Sequence, residues 1–316
     1  MKKYILPLII TGLALTGCRP SRQLVFCTTG LSVVTPTGAP ALAFYNYAGL
    51  TNFETNSNPA NITAYMAAES KDFVVLPTNA GVKSIIDNNL PYQLAATITF
   101  GNFYLVSLGN DDDDNGLDAG DTILLFQKNN VPDKIFHYVY GNDLNSGIHY
   151  VNAVSDAATA AMTGSFSDSD DGLTYTPNYV LLAEPVLTNV LSKKQNVSVY
   201  ADIQAKYKEV SGDKEIYQAS VFVRNAVSKE DKDTFLKCLK KDIEAAIADP
   251  AKMSEGMNRD TAAAEKFGVA PAMAEAVLKK NNGMGLGFKY ARENKEAIET
   301  FLSLFNLRDI DEKIYY

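Results

Sequence analysis

Few residues in this chain have the type and spacing that chemistry needs, and those that do suit hydrogen bonding better than reaction. Thr78 and Asn79 follow Pro77 at the end of an apolar run. Gly38 lies in the turn Thr35-Pro36-Thr37-Gly38-Ala39-Pro40, where the missing side chain lets a ligand approach the backbone. Glu184 precedes Pro185 at a helix start, a place where a carboxylate is a favourable partner of the helix dipole. A hydroxyl, an amide, bare backbone and one acid are tools for holding a polar small molecule. No nucleophile, base and orienting group come together, so acid–base chemistry by Glu184 and the loop hydroxyls is the weaker alternative. His137 and His149 have no Cys or His neighbours at metal-ligand spacing and read as structural. No cofactor and no metal is expected.

The elements that must position these residues repeat. Lys71–Gly81 (KDFVVLPTNAG) reads as a strand, Phe73–Leu76, buried on both faces. It ends at Pro77 and opens into the polar turn Thr78–Gly81, with a helix over Gly81–Asn88. Ligands of open α/β sheets bind beyond the carboxyl ends of the strands, where Thr78 and Asn79 stand. The same unit returns as Tyr179–Ala183 followed by Glu184-Pro185, and Val33–Ala43 is echoed by Leu124–Ile135: strand, polar loop, proline, helix. The expectation is an α/β protein of two lobes built alike, aiming loops and helix starts at a shared cleft.

Elsewhere the signals are plainer. Asn110–Asp121 fits the first half of an EF-hand calcium loop but has Thr122 where a bidentate Glu is required, so a solvated acidic turn is the better reading. Ser167–Gly172 is read the same way. Glu215–Arg224 is a further strand, and the chain beyond it is mostly helical. Ser228-Lys229-Glu230-Asp231 makes a capping-box start. Phe235, Leu236, Leu239, Ile243 and Ile247 form an apolar stripe behind it, and Ile298, Phe301, Leu302 and Phe305 another.

Lys2 and Lys3 precede an apolar run, Ile5–Leu15, too short to span a bilayer. It ends in Leu15-Thr16-Gly17-Cys18, so residues 1–17 read as a secretory signal. LTGC resembles the lipobox of bacterial lipoproteins, which implies lipidation at Cys18 and an extracytoplasmic, membrane-anchored protein. The whole chain carries 29 basic and 37 acidic residues, a net charge of −8. With no basic cluster longer than two residues, nucleic acid is excluded as a partner. Cys27 and Cys238 are the other cysteines; a disulfide or a buried free thiol at Cys238 are both open.

In order along the chain, PTGAPALAF, DFVVLPTNAGVKS, LPYQLAATITFGNFYLVS, YVLLAEPVLTNVL and the final KIYY resemble the extracytoplasmic solute-binding proteins of ABC importers for nitrate, sulfonate and taurine, and the related thiamine-pyrimidine binders. The resemblance implies a type II periplasmic-binding-protein fold: two mostly parallel α/β lobes joined by crossover strands, near Phe103–Ser107 and Val197–Asp202. It places lobe I in 18–105 and 201–316 and lobe II in 106–200. It implies a monomer that binds a sulfonate, nitrate, pyrimidine or related solute and works with an ABC permease. Carried over by position, the ligand site comprises Thr37, Gly38, Ala39, Thr78, Asn79, Phe100, Asn102, Gln127, Asn129 and Glu184. Two departures stand out. Gln127-Lys128-Asn129-Asn130-Val131 replaces a glycine-rich loop, and there is no tryptophan to stack on a ring.

Overall fold

The computed structural model describes residues 30–109, 117–118, 120–141, 144, 147–168, 170–280 and 282–316. The expected signal, Cys18, Cys27 and most of the Asn110–Asp121 loop lie outside the described residues. In chain order the strands are β1 (Val33–Pro36), β2 (Phe53–Asn56), β3 (Phe73–Pro77), β4 (Tyr92–Thr99), β5 (Phe103–Ser107), β6 (Ile123–Phe126) and β7 (Ile148–Val151). They continue with β8 (Phe166–Ser167), β9 (Thr174–Tyr175), β10 (Tyr179–Ala183), β11 (Ser198–Asp202), β12 (Ala219–Arg224) and β13 (Leu286–Tyr290). The first sheet runs β13-β4-β12-β3-β1-β2 and the second β11-β5-β10-β6-β7, with β8 and β9 a separate hairpin. Within the first, β1 is parallel to β2 and β3, while β12 is antiparallel to both β3 and β4. Within the second, β6 is parallel to β7 and β10, while β5 is antiparallel to β10 and β11.

The helices are α1 (Ala39–Leu42), α2 (Pro59–Ala67), α3 (Thr78–Asn88), α4 (Val131–Tyr140), α5 (Val154–Thr163), α6 (Val186–Lys193) and α7 (Ile203–Ser211). The C-terminal part adds α8 (Lys229–Ala248), α9 (Pro250–Met257), α10 (Ala263–Phe267), α11 (Pro271–Lys279) and α12 (Lys295–Ser303). Strand side chains alternate between faces, and β3 shows what that does here. Val74 and Leu76 pack with Ile62, Met66, Val82 and Ile85 of α2 and α3. Phe73 and Val75 pack with Phe235, Leu239 and Ile243 of α8 on the other side, and the Phe73 and Phe235 rings stack 3.6 Å apart. A strand covered on both faces must be apolar throughout, which is why FVVL is an unbroken run. Ser228 caps α8 by accepting from the Asp231 N–H at 3.1 Å. Ala246, not Ile247, completes the buried stripe; Ile247 is left 38% exposed.

Three features differ from the sequence expectation. Helix α3 begins at Thr78 rather than Gly81. Gly81 lies inside the helix, where a Cβ would sit 2.2 Å from the Phe222 ring, so this glycine serves close packing of α3 on β12 rather than a turn. Strands β2 and β13 lie at the two edges of their sheet and each buries one residue fully, so neither leaves an apolar run to read. The segments expected to be crossovers are β5 and β11, strands of the second sheet, because β5 finds ladder partners on both sides. The chain instead crosses at Phe100–Asn102 and returns after α7, through residues 212–218. These passages are tied to the first sheet: Phe100 N–H donates to Gly285 O at 2.8 Å and Gln218 N–H to Thr99 O at 3.0 Å. Gly101 suits that passage because its φ of 80° lies in the left-handed region, where a side chain would be strained.

Cys238 on α8 is disulfide-bonded, so a free thiol is ruled out; its partner lies outside the described residues. Among the described residues no helix is long and apolar enough to cross a membrane.

Candidate functional site

The carboxyl ends of β1, β3, β6 and β10 converge on one hollow of about 310 Å³ between the two sheets. Pro36, Pro77, Phe126 and Ala183, the last residues of those four strands, all line it. The site therefore follows from topology: parallel strands deliver their following loops to one side.

On the first lobe, Thr37, Gly38 and Ala39 line the hollow. Gly38 adopts φ 87°, ψ −149°, a conformation reserved almost wholly for glycine, and its N–H donates to Phe267 O at 2.8 Å. On the second lobe, Gln127 lines the hollow from a loop in which Gln127 (φ 57°) and Asn129 (φ 64°) are both left-handed. That conformation costs a side-chain-bearing residue about 1–2 kcal/mol, less for Asn, so something must hold it. Gln127 N–H donates to Val151 O at 2.9 Å, and Asn129 N–H donates to Asp133 Oδ2 at 2.7 Å. Asp133 is 3% exposed, accepts from Tyr150 OH at 2.9 Å and has His137 Nε2 3.2 Å from its Oδ1. His137 thus belongs to the bracing of this loop. His149 is engaged elsewhere, with Nδ1 2.6 Å from Asp168 Oδ2 at the β8–β9 hairpin. Among the described residues no group of three or more His, Cys, Asp or Glu is arranged to hold a metal.

Glu184 faces the hollow from the end of β10 and is 5% exposed. Burial pushes its carboxyl above the ordinary value of 4.5, opposed by hydrogen bonds from Thr188. Oε2 accepts from Thr188 N–H at 3.0 Å and Oε1 from Thr188 Oγ1 at 2.7 Å, so the carboxylate caps α6. Asn102 links the crossing to both lobes. Its backbone O accepts from Glu184 N–H at 3.1 Å, its Nδ2 donates to Glu184 O at 3.0 Å, and its Oδ1 accepts from Gln218 Nε2 at 3.1 Å. Among the described residues, Glu184 is the one ionisable side chain lining the hollow.

The structure brings together Thr37, Gly38, Ala39, Asn102, Gln127 and Glu184 of the residues singled out from sequence. Thr78, Asn79, Phe100 and Asn129 do not line the hollow. The Thr78 hydroxyl is buried 2.7 Å from Ser220 Oγ, which lies 2.8 Å from Thr97 Oγ1. Asn79 sits in the first turn of α3 with a buried Oδ1 that has no partner among the described residues. The Phe100 ring packs edge-on against Tyr217, 5.5 Å away. Asn129 is exposed and contributes its backbone N–H to Asp133, while its neighbour Asn130 reaches the hollow. Sequence reasoning missed Ser57, Asn130 and Gln218. Gln218 stands before an antiparallel strand, and a rule that inspects only the carboxyl ends of strands overlooks it.

No protein-family model matches the sequence, and no curated protein matches it either. Solved structures do match. An ABC transporter structure from Parabacteroides distasonis aligns over 92% of this chain and 99% of its own, with 18% identity and a TM-score of 0.71. The periplasmic aliphatic sulphonate binding protein SsuA from Escherichia coli aligns over 87% of this chain and 86% of its own, with 10% identity and a TM-score of 0.63. A zinc-bound ligand-binding component of an ABC-type import system from Staphylococcus aureus covers 90% and 95% respectively, with 10% identity and a TM-score of 0.61. Two helix-flanked sheets, a cleft at their strand ends and these neighbours together give the chain the periplasmic-binding-protein fold, the fold of the substrate-binding proteins of ABC importers.

Proposed function

We propose that this protein is the lipid-anchored binding component of an ABC importer, which captures a small polar solute between its lobes and delivers it to a membrane permease. The observation that carries the reading is the hollow built from strand ends of both sheets, with Thr37 and Gly38 on one wall and Gln127 and Glu184 on the other. A ligand that touches both walls favours the closed arrangement by its difference in affinity for the two states. Anchoring at Cys18 keeps such a receptor beside its permease, and two acyl chains are needed for a stable anchor.

The charge of the cleft narrows the solute. Sulfonate and nitrate are anions, yet the cleft walls offer one acid and no Lys or Arg among the described residues. A neutral or cationic ligand rich in hydrogen-bonding groups, such as a pyrimidine, fits amide, hydroxyl and carboxylate partners better. Enzymatic use of the cleft has less behind it, since Thr188 already engages both oxygens of Glu184. The test is thermal unfolding in the presence of pyrimidines, flavins, sulfonates and nitrate. A true ligand at a hundred times its Kd stabilises the folded state by about 2.7 kcal/mol. If none raises the melting temperature, the receptor reading fails.

A further inference from the structure

A second hollow, of about 620 Å³, lies on the first lobe at the end of the sheet remote from the cleft. It is walled by the start of β4 (Tyr92, Gln93), the end of α3 and the turn after it (Ile85, Leu90) and the stretch around Arg308 and Ile314. Lys232 lines it from the first turn of α8 and is only 5% exposed. No carboxylate lies within ion-pair distance of its ammonium among the described residues. Its contacts are Asn225 O at 3.5 Å, the far limit of a hydrogen bond, and the Tyr316 ring, 5.0 Å from Nζ.

A buried ammonium without an anion is costly, and the first turn of a helix, where backbone N–H groups gather positive potential, is the wrong end for a cation. Burial accordingly pushes the Lys232 ammonium below its ordinary value. Arg308, on the same wall, is exposed and makes no ion pair or hydrogen bond with any described residue. The acids on the rim do not neutralise this pair. Asp311 is taken up by Lys313, accepting from its N–H at 2.9 Å with Nζ 3.2 Å away, which leaves Asp309 against two cations. Ile86, Leu90 and Pro91 give the hollow an apolar strip beside the polar Asn89, Gln93 and Asn225.

We propose that this hollow binds a small amphiphilic anion, a medium-chain carboxylate being the class that fits, with its head on Lys232 and Arg308 and its tail along Ile86, Leu90 and Pro91. The site is separate from the cleft and goes beyond the transport reading.

The experiment is calorimetric titration of the purified protein with octanoate and, separately, with inorganic phosphate, alongside melting temperatures. Octanoate is expected to bind and stabilise the wild type, with phosphate at least tenfold weaker because it cannot use the apolar wall. Lys232→Met removes a charge-assisted hydrogen bond and is expected to lower octanoate affinity by roughly tenfold or more. The same change is expected to raise the melting temperature of the ligand-free protein, since a buried unpaired charge is gone. Arg308→Gln, at an exposed position that does not endanger folding, is expected to weaken octanoate by about threefold to tenfold. Gln127→Ala, in the cleft, is expected to leave octanoate binding unchanged. The proposal is overturned if octanoate does not bind, if phosphate binds as tightly, if Lys232→Met and Arg308→Gln bind like wild type, or if Gln127→Ala abolishes binding.

Discussion

The two lobes solve one problem in opposite ways. Each must turn the chain sharply from a strand into a helix beside the cleft. The first lobe does so with Gly38, whose φ of 87° carries no side-chain penalty and whose would-be Cβ meets nothing within 4 Å. The second has no glycine there and forces Gln127 and Asn129 into left-handed backbone, bracing them with buried Asp133. The second transition differs as well. After β3 the helix starts at once and Thr78 is folded into a buried hydroxyl chain, whereas after β10 the acid Glu184 caps the helix and faces the cleft. A glycine turn is stable by itself but offers only backbone. A braced turn of side-chain-bearing residues is strained but puts an amide into the cleft. The first turn offers backbone beside the Thr37 hydroxyl, and the second turn adds an amide and, after β10, a carboxylate.

That contrast can be broken most sharply at the brace. Asp133→Ala removes the acceptor of the Asn129 N–H, leaves the Tyr150 hydroxyl with His137 alone, and is expected to destabilise by about 3 kcal/mol, read as a fall in the urea midpoint. An unchanged midpoint would mean the loop needs no brace. Gly38→Ala tests the other lobe. With open space for the methyl group, its cost is backbone strain alone, about 1–3 kcal/mol. A smaller loss would show that the first turn tolerates a side chain after all.

The carboxylates sharpen the comparison through pH. In the first lobe, burial would raise Asp72, but Ser32 N–H and OH and the Arg224 guanidinium outweigh it and hold the acid below 3.8. Its stabilising contribution is present above 3.8 and lost as pH falls through the lower folded value. Glu184 is raised above 4.5, so the folded state binds the proton more tightly than the unfolded chain. Its contribution therefore improves as pH falls from neutrality toward 4.5. Denaturation across pH is expected to show that Asp72→Asn and Glu184→Gln change the slope of stability in opposite directions. Slopes of the same sign would refute the assigned environments. The smallest effect is expected from Asn129→Gly, a gain of roughly 0.5 kcal/mol as left-handed strain is relieved against the entropy of a glycine, measurable as a slight rise in melting temperature.

How much of this could be read from the chain depended on burial. Strands covered on both faces, such as FVVL and YVLLA, announce themselves as apolar runs, and the proline and polar residues after them mark the cleft. Edge strands FETN and LGFKY carry no such run and were invisible. The site was legible where a residue's place follows from its strand end, as for Thr37, Gly38, Gln127 and Glu184. It was illegible where a side chain's direction decides. Thr78 has the right position but turns into the interior toward Ser220, a partner 142 residues away. Gly81 looked like a turn because nothing in sequence announces Phe222 lying over it. The Lys232 hollow left no mark in sequence because its walls come from four separated stretches.

Thr99 at the end of β4 and Ala219 at the start of β12 face each other as antiparallel partners. The entire second lobe is thereby spliced in at a place where a hairpin of two to five residues would suffice to join the strands. Deleting residues 100–218 and bridging the gap with a short Asn-Gly turn should yield a miniature protein with the first sheet's strand order intact, and the second lobe becomes a module that can be exchanged without rethreading its host.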